Sequence, residues 1–181
     1  VAVQSARVIL TAYDYEFAGR PPVEVLVSAT VEGTPVDLVV ILLHAKAGAA
    51  GTDLARRTAA SAALKGYVDA THPTARVVVL GDFNDDVDQT IASSRGGTSP
   101  YANFVADGAD YAFPTAALSA AGESSTVFFQ DMIDHHLATN ELMAGYVAAS
   151  AQVFPADDYV ASYSQTTSDH YPVLTRFTVA G

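Results

Sequence analysis

Val36-Asp37-Leu38-Val39-Val40-Ile41-Leu42-Leu43-His44 is the stretch from which the rest of the chain can be placed. From Leu38 to Leu43 it is apolar without interruption and rich in β-branched residues. That composition suits a central strand covered on both faces. The run is too short to span a bilayer, so it predicts a buried strand rather than a membrane helix. It ends on an imidazole, which places His44 at a strand end, on the rim of a sheet.

Working outward, Val1 to Tyr13 reads as a strand. Arg20-Pro21-Pro22 opens a second one through Val23 to Val31, and Gly33-Thr34-Pro35 reads as the turn into the stretch quoted above. Beyond His44 a glycine-bearing loop leads to a helix capped by Thr52 and running to about Asp69. Ala60, Leu64, Tyr67 and Val68 recur at helical spacing along one face of it. Arg76 to Leu80 is a further short strand, broken by Gly81-Asp82 so that Asp82 and Asn84 emerge in a loop. Residues 86–126 are rich in Gly, Ser, Ala and Pro and read as long loops with one short helix. Thr126 to Phe129 and Met132 to Ala138 read as paired strands, Glu141 to Ala149 as a short helix and Val173 to Val179 as a closing strand. Strands predominate, with one clear helix outside them, which predicts a layered α+β domain on packed sheets.

At 181 residues the chain has a single-domain length, sufficient to bury a core. It has no cysteine, so disulfides, thiolate metal sites and a cysteine nucleophile are excluded. No apolar run has the length of a membrane span and no targeting segment is visible. The compartment stays open, secretion after removal of a signal peptide included. Twenty acids against nine bases leave a net charge of −11, which argues against tight binding of a long duplex through phosphate neutralisation.

Four short stretches carry groups that phosphate chemistry uses: His44-Ala45-Lys46-Ala47-Gly48, Gly81-Asp82-Phe83-Asn84-Asp85, Ile133-Asp134-His135 and Ser168-Asp169-His170-Tyr171-Pro172-Val173. Phosphodiester hydrolysis needs an oriented water and groups that neutralise charge on the phosphoryl oxygens. Asp82 and Asn84, two residues apart in a loop, can face one site; equally they can form an Asx turn that ends the strand. Asp169 and His170 are adjacent, so at an irregular strand start they can reach different partners. His135 and His136 read as packing or rim residues, His72 as solvent-exposed, and Tyr13, Asp14 and Glu16 as a surface turn.

In order and spacing these stretches resemble the endonuclease/exonuclease/phosphatase superfamily, the DNase I-like metal-dependent phosphoesterases. The resemblance implies an α/β four-layer sandwich of two β-sheets flanked by helices, with the active site at one rim. It covers the whole chain, 1–181, but only the C-terminal part of the family's single domain. The family's opening strands, one ending in Asn and one in Gln-Glu, have no counterpart, so the N-terminal strands are expected from the rest of the chain or from another chain. Carried onto this sequence, the resemblance implies that Asp82 handles the attacking water while Asn84 donates to a phosphate oxygen. His170 faces the scissile phosphate, Asp134 bonds His170 and raises its pKa, and His44 is a candidate proton donor to the leaving oxygen. Asp169 would hold a divalent cation, with Asp82 and Asn84 near it. Mg²⁺ or Mn²⁺ is the implied cofactor, Ca²⁺ being a further option, and the family's principal metal-binding Glu is among the parts not matched. The implied function is a divalent-metal-dependent phosphodiester hydrolase of nuclease type, acting on a phosphodiester such as nucleic acid. The alternative is a catalytically disabled or incomplete domain that acts as a binding module.

Overall fold

The computed structural model describes residues 1–92 and 96–178. Six strands form one sheet in the order β1-β2-β3-β4-β6-β5: β1 (Ala2–Val8), β2 (Val23–Val31), β3 (Thr34–His44), β4 (Val77–Asp82), β5 (Tyr111–Ala112) and β6 (Asp134–Thr139). Strands β7 (Gln152–Val153) and β8 (Val173–Leu174) form a second, two-stranded sheet. The helices are α1 (Gly51–Thr71), α2 (Ala102–Val105), α3 (Ala116–Ala120), α4 (Asn140–Met143) and α5 (Tyr163–Thr166). Among the described residues no helix is long and apolar enough to cross a membrane.

The strand of the opening stretch is present and is central, but its coverage differs from expectation. Val39, Ile41 and Leu43 are buried, whereas Leu38 and Val40 are half-buried and Leu42 is 44% exposed. An unbroken apolar run hides the two-residue alternation that a one-sided strand normally displays. The buried set packs with Ala60, Leu64 and Val68 of α1, with Val77 and Val79 of β4, and with Leu137 and Phe17. On the other face a smaller cluster of Val78, Ala138 and Leu142 packs with Leu38, Val40, Leu80, Met143 and Phe177. His136 Nδ1 lies 2.8 Å from Thr175 Oγ1 on this side, which ties the segment after β8 to β6.

Strand β3, α1 and β4 form a βαβ unit, since β3 and β4 pair in parallel and α1 crosses between them. Ala50, not Thr52, is the N-cap of α1, and Asp53 supplies the cap by accepting from the Ala50 amide at 3.2 Å. Pro73 follows the helix end, where the His72 amide still reaches Val68 O. The β2–β3 turn is Glu32-Gly33, both at positive φ (49° and 88°), the geometry a two-residue hairpin needs. Thr34 and Pro35 therefore belong to β3; Pro35 faces Thr30, ahead of the parallel pairing with β4 that begins at Val39.

Other expectations are corrected. β1 stops at Val8 because Leu10 turns left-handed (φ 56°) into a short 3₁₀ turn at Thr11–Tyr13. β4 is not broken by Gly81-Asp82 but includes both. Thr126 to Phe129 does not pair with Met132 to Ala138: Thr126 bridges to His170, and β6 pairs with β4 and β5. Segment 86–126 holds two short helices and β5 rather than one helix, with residues 93–95 outside the described residues. The expected helix at 141–149 is the single turn α4. The closing strand is reduced to β8 and one bridge from Phe177 to Tyr146, and its expected end, Val179, lies outside the described residues. His72 is not solvent-exposed, as its Nε2 sits 2.7 Å from Oε2 of the buried Glu24.

Candidate active site

Register builds the site. His44, the last residue of β3, lies opposite Asp82, the last of β4, and Asp82 lies opposite Asp134, the first of β6. Leu43, Val79 and Leu137 point toward α1, so alternation sends His44, Asp82 and Asp134 to the opposite face, side by side at one sheet edge. Gly81 makes this approach feasible. Its φ is 131°, and a Cβ there would meet Leu43 O at 2.1 Å.

Asp82 is the centre of the row. Its Oδ2 is 3.4 Å from His44 Nε2 and accepts from Asn84 Nδ2 at 2.7 Å, while its Oδ1 accepts from the Asn84 amide at 2.8 Å. Asn84, at φ 52°, thus closes an Asx turn on Asp82, and its side chain also donates to Ala45 O at 3.1 Å. Burial pushes the Asp82 pKa up, the facing Asp134 carboxylate adds to this, and the Asn84 amide, His170 and His44 oppose it.

Asp134 Oδ2 accepts from His170 Nδ1 at 2.8 Å and from Ser125 Oγ at 2.7 Å. Ser125 Oγ in turn accepts from the amides of Ile133 and Asp134, so the carboxylate is held from behind. Burial raises the Asp134 pKa against these donors. His170 is fixed by the bridge to Thr126 and by Tyr163, whose hydroxyl donates to His170 O at 2.7 Å. Burial disfavours its imidazolium, but the Asp134 hydrogen bond and the charges of Asp134, Asp82 and Asp169 outweigh it, so the His170 pKa is raised. Asp134 and Asp82 thus favour the imidazolium form of His170.

Of the residues singled out from sequence, His44, Asp82, Asn84, Asp134 and His170 are brought into this connected group. Asp169 is exposed and adds its charge to His170, while its backbone carbonyl accepts from Val127; among the described residues no side-chain bond joins it to Asp82 or Asn84. Among the described residues no group of three or more carboxylates and imidazoles is arranged to hold an ion. Asp82 and Asp134 are already engaged by Asn84, His170 and Ser125, so the residues of this chain do not by themselves fit a divalent cation. His135 is a packing residue: its Nδ1 is 2.9 Å from Thr115 Oγ1, its ring stands edge-on to Phe83, and burial lowers its pKa to about 4. Burial lowers the His136 pKa as well.

Two members of the group carry no role in the sequence reading. Arg20 Nη1 lies 2.7 Å from His44 Nε2 and Nη2 donates to Ala45 O at 3.0 Å. The proline pair after Arg20, which opens β2, is the signal that could have marked it. Ser125 sits in a Gly/Ser-rich segment and has no such signal.

The fold that carries this sheet edge aligns with solved structures. The chain aligns over 96% of its length with an endonuclease/exonuclease/phosphatase from Beutenbergia cavernae DSM 12333, at TM-score 0.65 and 19% identity. Its fold is that of the endonuclease/exonuclease/phosphatase superfamily. An AP endonuclease from Archaeoglobus fulgidus aligns with 98% of the chain (TM-score 0.61, 14% identity), and so does the human Nocturnin catalytic domain with bound sulfate (0.58, 16%). The chain spans 44% of the Beutenbergia structure, 72% of the AP endonuclease and 60% of the Nocturnin domain, so it corresponds to part of this DNase I-like fold. No family model and no curated protein sequence matches it.

Proposed function

We propose that residues 1–181 are the C-terminal part of one catalytic domain, and that the complete protein is a divalent-metal-dependent phosphodiester hydrolase of nuclease type. The observation that carries this reading is the register row His44, Asp82, Asp134 with His170 bonded to Asp134 at 2.8 Å. The sulfate on Nocturnin supports it, since a tetrahedral oxyanion is the shape a phosphodiester presents.

Each residue then has a task. His170 keeps Nδ1–H on Asp134, which leaves Nε2–H to donate to a non-bridging phosphoryl oxygen as negative charge grows there. Asp82, whose pKa is raised, orients the attacking water and takes its proton. Asn84 fixes the Asp82 carboxylate. His44 is assigned as the proton donor to the leaving oxygen, a role that requires the Arg20 guanidinium, which itself can only donate, to leave Nε2 when the ring takes up its proton. The cation expected from the resemblance, Mg²⁺, Mn²⁺ or Ca²⁺, is not accommodated by the donors present, and no step above is routed through it. Its ligands, Asp169 apart, are proposed to come from polypeptide outside 1–181, in the same chain or another.

Hydrolysis of bis(p-nitrophenyl) phosphate and of single-stranded DNA by the complete protein, with each cation and after chelation, tests the reading. Turnover that requires Mg²⁺ or Mn²⁺ is expected, with little from 1–181 alone. A folded complete protein inactive on both substrates would overturn it in favour of a binding module, and robust turnover by 1–181 would refute the external ligands.

A further inference from the structure

Arg57 and Asp85 are a fully buried ion pair, both side chains at 0% exposure. Taking two charges out of water is costly, and apolar residues of similar size often replace such pairs without loss of stability. The bonds of this pair are distributed in a way that packing does not require. Arg57, on α1, donates Nε and Nη2 to Asp85 Oδ2 at 2.9 and 2.7 Å, and Nη1 to Lys46 O and Gly48 O, both at 2.7 Å. Asp85 Oδ1 accepts from the amides of Asp86 (3.0 Å) and Ile91 (2.7 Å), and Oδ2 from Thr90 Oγ1 (3.0 Å). One guanidinium therefore holds two loops: the one that leaves His44 and the one that carries Asn84.

In front of the pair Asn84 Nδ2 joins those loops through Ala45 O, next to the bond from the Ala45 amide to Asp82 O, and the same side-chain nitrogen sets Asp82 Oδ2. Asn84 stays left-handed at φ 52°, a conformation that persists when its surroundings over-determine it. We propose that the Arg57–Asp85 pair is a positioning device for the hydrolytic site, which locks Asn84 against Ala45 and thereby aims the Asp82 carboxylate relative to His44. This rests on the phosphodiesterase reading above for its catalytic consequence, while the clamping itself does not.

Two variants of the complete protein test it. R57K keeps the charge but loses the planar fork that reaches both the carboxylate and the two carbonyls. R57M/D85N removes the pair without leaving a lone buried charge, and the Asn can still accept from the Ile91 amide. Amide hydrogen exchange should accelerate by about tenfold or more in 45–48 and 86–91 and stay unchanged in β4, β6 and the body of α1. In the double variant kcat should fall by about 10²-fold while KM changes by less than about threefold, with R57K intermediate. Unchanged loop exchange, exchange that rises equally across sheet and helix, or a folded double variant with wild-type kcat would each overturn the proposal. If the wild-type protein hydrolyses no phosphodiester, the functional reading fails, and the exchange pattern alone decides the clamp.

Discussion

The two faces of the six-stranded sheet are built from the same apolar strands and are used differently. Under α1 lie Val39, Ile41, Leu43, Val77 and Val79 in one continuous core, with Phe83, Tyr101 and Phe104 packed into it. On the reverse face Val3 is 67% exposed, Val8 55% and Leu42 44%, and cover is concentrated over β4 and β6. His44, Asp82 and Asp134 stand on this second face, at its edge, where Asn84, His170, Ser125 and Arg20 hold them in one hydrogen-bonded row. One face carries most of the core and the other the candidate site, and alternation along three strands separates the two.

The sharpest test of that division is Asp134→Asn. Removing the negative charge from the group that His170 donates to should lower turnover of the complete protein by about 10²–10⁴-fold while Tm shifts by only a few degrees. The pH profile should move as well. With the His170 pKa raised, its imidazolium function is present at low pH and lost as pH climbs through that raised value. Without the Asp134 charge His170 loses the strongest of the effects that raise its pKa, so the alkaline limb shifts to lower pH. Asp82 loses a like-charged neighbour, so the acid limb shifts the same way. A profile that stays in place would show that the pair does not set the working protonation states.

A matched pair of truncations compares the faces directly. Ile41→Ala, at a fully buried position under α1, should cost about 2–5 kcal/mol in denaturant unfolding, whereas Leu42→Ala next to it should cost under about 1 kcal/mol. Equal costs would mean that the reverse face is as well packed as the covered one.

The smallest effect concerns the end of the covered face. Buried Glu24 accepts from Arg7 Nε and the Tyr67 hydroxyl and pairs with His72, which ties β1, β2 and the end of α1 together. Burial alone would raise its pKa, but Tyr67, His72 and Arg7 together bring it below its ordinary value of 4.5. Its contribution is therefore complete above that value and is lost as pH falls through the lowered one. Glu24→Gln should cost about 1–3 kcal/mol at neutral pH, with the difference from wild type narrowing below pH ~4.5. A difference independent of pH would assign the effect to packing.

How much of this was legible in the sequence follows from the range of each interaction. β2, β3, α1 and β4 were readable because apolar runs, helical spacing and turn residues are local signals. The ends on which the site depends were partly readable, since His44 and Asp82 each close an apolar run. The row itself was not, because it needs β6 beside β4, and local reading paired Met132 to Ala138 with Thr126 to Phe129 instead. Nothing local marks Arg57 and Asp85 as a buried pair, since the two partners are 28 residues apart. His72 was misread for the same reason, its partner Glu24 being 48 residues away.

Gly81 has a consequence for redesign. Any side chain there would strike the Leu43 carbonyl, and its φ of 131° suits glycine alone. A codon-randomised library at this position should collapse to a single amino acid, so the strand that presents Asp82 offers an engineer no latitude. Latitude sits elsewhere, at Phe128 and Phe129, which are exposed in the segment that follows the Thr126 bridge to His170. Substitutions at these two exposed positions disturb neither the core nor the bonds of the acid row.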